Sequence, residues 1–297
     1  MINEVKSDRI FDLCNKLVVW FFIIIISYPL LYILSASISD PSYVNSGKMW
    51  LIPRDITFEG FKRVFESKDI WIGYRNTIFY TVLGTFINLA VTLPCAYALS
   101  RSNLVGKGII MGLLIFTMFF DGGLIPTYLL VRDLGMINTI WSMVIPNAAS
   151  VWNIIVTMTF FKVTIPKGLV EAAEVDGASV FRIFFQIVLP LSAPIIAVMA
   201  LFYGVGHWNS YFNALIYISD KDIYPLQLFL RDILIQQEMT AELMIQGGNP
   251  EAIGEQAKIA SIIKYAIMIV SAAPLLIIYP FLQKYFLKGV MIGSIKE

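Results

Sequence analysis

Apolar positions along the chain come in long unbroken runs rather than in the two- or three-residue periods of a water-soluble fold. A helix needs roughly 20 apolar residues to cross the hydrocarbon of a bilayer, and six stretches reach that length: 17 to 38, 77 to 99, 108 to 130, 140 to 161, 186 to 206 and 262 to 286. The pattern predicts an all-α integral membrane protein with six transmembrane helices. Polar sequence gathers in a few places between the runs. Residues 39 to 75 mix Trp50, Phe58, Phe61, Phe65 and Trp71 with charges, as an ordered interfacial loop with a short amphipathic helix does. Residues 207 to 260 open on aromatic and amide side chains and pass through Pro225, Gly247, Gly248 and Pro250. No internal repeat or Gly/Ser linker divides the chain, so one membrane domain, 1–297, is expected.

Composition agrees. Of 297 residues, 58% are hydrophobic and 14% charged, too apolar a balance for a solvated globule. The net charge of +1 leaves no single-sign field for nucleic acid. Cys14 and Cys95 give neither a disulfide framework nor a zinc spacing. The first apolar run exceeds the ~7 to 15 residues of a secretory signal core, and Glu4, Asp8 and Asp12 dilute its basic flank, so it reads as a span. An even number of spans puts both termini on one side. The segments on that side hold 11 basic residues in 62 positions, those on the other 10 in 100, which points to cytoplasmic termini.

The most polar interruption is EAAEVDGASVFRIFFQIVLP, residues 171 to 190. On this topology residues 162 to 185 lie in the cytoplasm, where Glu171, Glu174, Asp176 and Arg182 are solvated. Pro166 suits a first helical turn, Asp176 with Gly177 ends the helix, and Val180, Phe181, Phe184, Ile187 and Val188 then recur at helical spacing. Pro190 and Pro194 redirect the chain into the fifth span as hinges. A helix, a tight turn and a helix are expected on the inner membrane face. The small side chains of Ala172, Ala173 and Ala178 would let another protein approach.

The same residues resemble the cytoplasmic signature of bacterial ABC importer permeases. Glu171, Ala172 and Ala173 are followed four residues after the last alanine by Gly177, then nine residues, then Ile187, any residue, Leu189 and Pro190. GGLIPTYLL at 122 to 130, LPLSAP at 189 to 194, WNSYFNALIYISD at 208 to 220 and QKYFLKGVMIGSIKE at 283 to 297 are similar to the carbohydrate-uptake, maltose-permease-like branch and its complex-oligosaccharide subgroup. The resemblance implies that the loop between spans 4 and 5 is a coupling helix seated in an ATP-hydrolysing subunit, with Glu171, Ala172, Ala173, Asp176 and Gly177 as the coupling residues. It also implies a second permease, two ATP-binding cassette subunits, an extracellular sugar-binding protein and the bacterial inner membrane. No phosphate-binding GxxxxGK[ST] loop is present. The chain is therefore expected to be a non-catalytic permease, with ATP and Mg bound by the partner.

A sugar path needs aromatic faces and hydrogen-bonding side chains. Trp208, Asn209, Tyr211, Phe212 and Asn213 supply them where the fifth span exits; Asn147, Trp152 and Asn153 do so in the fourth span. Interfacial belts and helix packing explain the same residue types equally well. Asp121, an acid inside the third run beside a helix break expected at Gly122, Gly123 and Pro126, is a further candidate for the path. His207, the only histidine, has no second ligand or nucleophile spaced near it and reads as a cap or interface residue rather than a catalytic one. The spans hold little base, which suits a neutral glycan. An ion-coupled secondary transporter would instead show repeats and paired intramembrane charges, and an importer of a non-sugar solute would share the coupling loop.

Overall fold

The computed structural model describes residues 6–245, 260–261 and 263–280, and all regular structure in them is helical. The helices are α1 (Lys6–Ser37), α2 (Pro41–Asn45), α3 (Glu59–Glu66), α4 (Lys68–Ser100), α5 (Lys107–Phe119), α6 (Leu124–Asp133), α7 (Trp141–Val144), α8 (Val151–Thr164), α9 (Lys167–Val175), α10 (Val180–Ile183), α11 (Leu189–Leu191), α12 (Ala193–Trp208), α13 (Phe212–Tyr217) and α14 (Leu226–Ile245). A final helix, α15, covers Ile263–Pro280. The similar stretch at 283 to 297, the end of the sixth run, and Gly247, Gly248 and Pro250 lie outside the described residues.

Among the described residues three helices, Ile10–Ser37, Lys68–Ser100 and α15, are long and apolar enough to cross a membrane alone; counting bent pairs as single spans raises the number to six. The protein is thus an all-α, multi-spanning membrane fold. Three of the expected spans are broken: the third beside Gly122 and Gly123 and the fifth between Pro190 and Pro194, where the sequence marks a break, and the fourth, where it does not. The run at 108 to 130 divides into α5 and α6, bent by 111°: α5 ends at Phe119 with Phe120 extended, and Gly123, at φ +86, begins the new direction as the N-cap of α6. The run at 140 to 161 divides at 145 to 150, leaving α7 and α8. The fifth run breaks at Ser192, where α10 to α11 and α12 meet at 81°.

Two compact units are present, one of residues 1–70 and 230–273, the other of 71–229 and 274–297. In the first, Ala36, Val44 and Met49 form a small core lined by Tyr32, Tyr43 and Tyr265, and Asn45 Nδ2 donates to Ser261 Oγ at 3.2 Å. None of α1's most apolar window is buried in the chain. In the second unit, α4, α8 and α12 meet around Ala96, Ile154, Val188 and Met199. A separate cluster gathers Tyr80, Val144, Ala214 and Leu228.

Apolar burial drives little association between helices already surrounded by lipid tails, so close approach and polar contacts decide it. At α4 and α12 both are visible. Asn88, fully buried, donates from Nδ2 to the Asn147 carbonyl at 2.6 Å. Its Oδ1 then faces His207 Nε2 at 2.7 Å, which assigns the proton of that ring nitrogen to the bond. Thr92 and Tyr203 share a hydroxyl bond of 2.7 Å one turn away. Gly84 makes room for the imidazole: a Cβ there would stand 2.3 Å from His207 Nε2. His207 is therefore an interface residue, Asn88 is its partner, and Thr92 with Tyr203 makes a second contact between the same helices; hydropathy did not single out Asn88, Thr92 or Tyr203.

Candidate functional site

The element at 166 to 192 is built from its caps inward. Pro166 is the N-cap of α9, one position before the first turn expected for it. At the other end the Asp176 N–H bonds the Ala172 carbonyl at 3.0 Å, Gly177 N–H reaches Glu174 at 3.1 Å and Ala178 N–H reaches back to Ala173 at 2.9 Å. This six-to-one and five-to-two closure needs a left-handed residue, and Gly177 supplies φ +75. Ser179 then caps α10, its Oγ accepting from the Arg182 N–H at 3.3 Å. Helix, tight turn and helix follow in the expected order.

The alanines divide between two faces. Ala173 and Ala178 are half-buried against the core that holds Ile183 and Val188, so their small size lets the turn sit close to the chain's own interior. Ala172 is exposed with Glu171, Asp176 and Gly177. This corrects the expectation of a single outward alanine face: closing the turn brings 173 and 178 together beneath it. The second helix also departs from its expected phase. Ile183, Phe184 and Val188 are buried, whereas Val180 and Phe181 are exposed, Phe181 by 76%. Val175 is exposed too, by 88%, and sequence periodicity did not separate these outward apolar side chains from the core face.

Arg101, in the loop after α4, ties the element to the second span. Its guanidinium pairs with Glu174, donates to Tyr97 Oη at 3.1 Å and to Asn103 at 3.2 Å, and lies 5.8 Å from the centre of the Tyr97 ring. Its own carbonyl accepts from Lys107 Nζ at 2.9 Å. Half-exposed pairs of this kind contribute only about 0–1 kcal/mol to stability, but here several act on one side chain and fix α9 against α4.

Beyond α10 the chain widens to a π turn at Phe184–Val188. Pro190 has no N–H for the Gln186 carbonyl, so the ordinary ladder cannot continue there. Ser192 Oγ donates to the Val188 carbonyl at 2.6 Å, and Pro194 sits in the first turn of α12. The two prolines bracket the 81° bend.

The residues suggested for a sugar path separate by burial. Trp208 is 5% and Asn153 8% exposed, the former with its ring edge-on to Tyr74. Asn147, Trp152, Asn209, Tyr211 and Phe212 are exposed, and Asn213 is half-buried. Asn147 contributes its carbonyl, not its amide, to the Asn88 contact. Asp121 is not within a helix: α5 ends at Phe119, and the carboxylate accepts from the Gly123 N–H at 2.9 Å in the exposed bend before α6.

Residues 70–292 match the family described as the binding-protein-dependent transport system inner membrane component. Protein LplC of Bacillus subtilis (strain 168) is 37% identical over 99% of this chain and 98% of its own length. The polygalacturonan/rhamnogalacturonan transport system permease protein YtcP of the same organism is 37% identical over 98% of this chain and 99% of its own. Among solved structures, a chain of a bacterial ABC transporter involved in the import of the acidic polysaccharide alginate superposes with a TM-score of 0.82 at 33% identity, covering 96% of this chain and 100% of that one.

Proposed function

The chain belongs to the family of inner-membrane components of binding-protein-dependent transport systems, and from that premise we propose an oligosaccharide permease driven through α9. As a family member it is a non-catalytic, membrane-embedded, multi-pass permease of a sugar-type ABC importer, an assembly of a permease pair, ATPase subunits and a substrate-binding protein.

In our reading both termini and the 162 to 185 loop are cytoplasmic, and α9 seats in a cleft of the ATPase. The observation that carries this is the lever itself: a capped helix and turn presenting Glu171, Ala172, Asp176 and Gly177 to solvent beside the uncovered Val175 and Phe181. Exposed apolar side chains rimmed by carboxylates suit a protein partner. Movement of α9 would reach α10 through the Gly177 turn, then α12 through the bend between Pro190 and Pro194, so that the fifth span tilts against its neighbours.

The substrate path would use the residues left open, Trp152, Asn209, Tyr211 and Phe212 with Asn147 and Asn213, where a second permease completes the channel. Two relatives carry the names of acidic polymers, which favours uronate-containing oligosaccharides over the neutral glycan suggested by the base-poor spans; the partner permease would then supply the cations.

Expression with its neighbouring permease and ATPase should yield one complex whose ATP hydrolysis rises several-fold when a binding protein loaded with a uronate oligosaccharide is added. A chain that purifies without any ATPase would overturn the permease reading, whereas stimulation by neutral oligosaccharides alone would overturn only the substrate class.

A further inference from the structure

Behind α9 lies a cavity of about 420 Å³, bounded by the end of α4, the start of α5, the end of α8 and α9 itself. Its rim is basic: Arg101, Lys107, Lys162 and Lys167 all line it. Two acids, Glu171 and Glu174, line it too, and Glu174 already holds Arg101. Glu171 is then the one other acid lining the cavity against three lysines. Lys107, at the start of α5, and Lys162, near the end of α8, line it from different helices. Ammonium groups that share one cavity repel, and an anion placed among them offsets that repulsion.

The walls narrow the identity of that anion. Phe161, Ile165 and Val170 make part of the lining apolar, and Val163 and Leu169 nearby on α8 and α9 are 52% and 44% exposed. A ligand with a phosphate group and an adjoining hydrocarbon portion matches both surfaces, since ammonium groups bind phosphate oxygens as strong charge-assisted donors. Basic recesses between membrane helices on the cytoplasmic side take lipid headgroups for the same reasons.

We propose that this cavity is a phosphate-group site occupied by the headgroup of an anionic phospholipid, bridging Lys107 of α5 and Lys162 of α8 directly behind the coupling helix. The proposal rests on the reading that this end of the bundle meets the cytoplasmic leaflet. Lipid in the site neutralises these lysines and holds α9 against the span ends that it moves. The membrane's charge thereby acts on the stiffness of the coupling lever.

The test uses the complete complex of this chain with its partner permease and ATPase, in detergent, by native mass spectrometry and thermal melting. Phosphatidylglycerol should be retained by the native complex, and Lys107→Gln combined with Lys162→Gln should weaken retention at least tenfold, whereas Lys107→Arg with Lys162→Arg should keep it. Phosphatidylglycerol should also raise the melting temperature of the native complex but not of the double glutamine variant; phosphatidylcholine should do neither. Equal retention by native and glutamine complexes, or equal retention of the two lipids, overturns the proposal. A variant-sensitive shift produced by inorganic phosphate and not by phosphatidylglycerol overturns the lipid source. Loss of the ATPase in the glutamine variant with lipid retention unchanged assigns the cavity to a carboxylate of that partner and likewise overturns it. Because the readout compares native and variant lipid binding, it stands apart from whether the complex transports sugar.

Discussion

Replacing Gly177 by valine is expected to abolish transport while leaving the chain inserted in the membrane. The residue holds φ +75 in the turn that closes α9, a conformation that costs a β-branched side chain roughly 1–3 kcal/mol. The turn can relieve that strain only by releasing the bonds from Gly177 to Glu174 and from Ala178 to Ala173. Once they open, displacement of α9 no longer reaches α10. No atom lies within 4 Å of a Cβ built at Gly177 in the chain itself, so the core should stay folded. Uptake into proteoliposomes should fall at least tenfold, with the complex purifying in normal yield; Gly177→Ala should be milder. Uptake at the native rate in the valine variant contradicts the assignment.

Gly84→Ala should destabilise the fold more than any other single methyl group considered. The added Cβ would meet three atoms of the His207 ring at 2.3, 2.4 and 2.7 Å. The ring must move, and with it goes the Asn88 bond, leaving a fully buried amide oxygen without its partner. Overpacking costs about 1–3 kcal/mol and a lost buried partner about 1–3 more. The purified chain should therefore melt well below the native protein. Adding His207→Ala should recover the overpacking part of the loss but not the part due to the unpartnered Asn88 oxygen, because the small side chain removes the clash without restoring the bond. Strictly additive destabilisation in the double variant would show that the two residues do not meet.

What hydropathy and motif reading could reach, and where they stopped, follows from the physics of each signal. The turn after α9 was legible because Pro166, Asp176 and Gly177 each have a local conformational role that the sequence itself displays, whereas the cap supplied by Ser179 came only with the fold. The apolar runs were legible as membrane sequence, and their breaks only where glycine or proline marked them, at Gly122 and Gly123 and at Pro190 and Pro194: hydropathy measures transfer of side chains and carries no direction, so the break after α7 left no trace in it. The outward position of Val175 and Phe181 was hidden for another reason. An apolar residue awaiting a partner looks like one awaiting the core. Similarly, Asn88 and Asn153 are both amides in long apolar runs, yet only the fold shows that the first completes a chain of hydrogen bonds from Asn147 to His207.

The spans also explain why the path is less defined than the lever. A permease that forms half of a channel presents its lining as exposed surface until its partner arrives, so exposure alone does not separate a sugar-facing Trp152 or Tyr211 from one facing lipid.

Force entering from the cytoplasm through α9 is the claim on which the account stands, and a photoreactive side chain at Ala172 in the assembled transporter tests it most directly. It should crosslink to the ATP-hydrolysing subunit, with a yield that changes between ATP and ADP. Crosslinks confined to the extracellular binding protein, or access of a membrane-impermeant reagent to this position from outside intact cells, would contradict it.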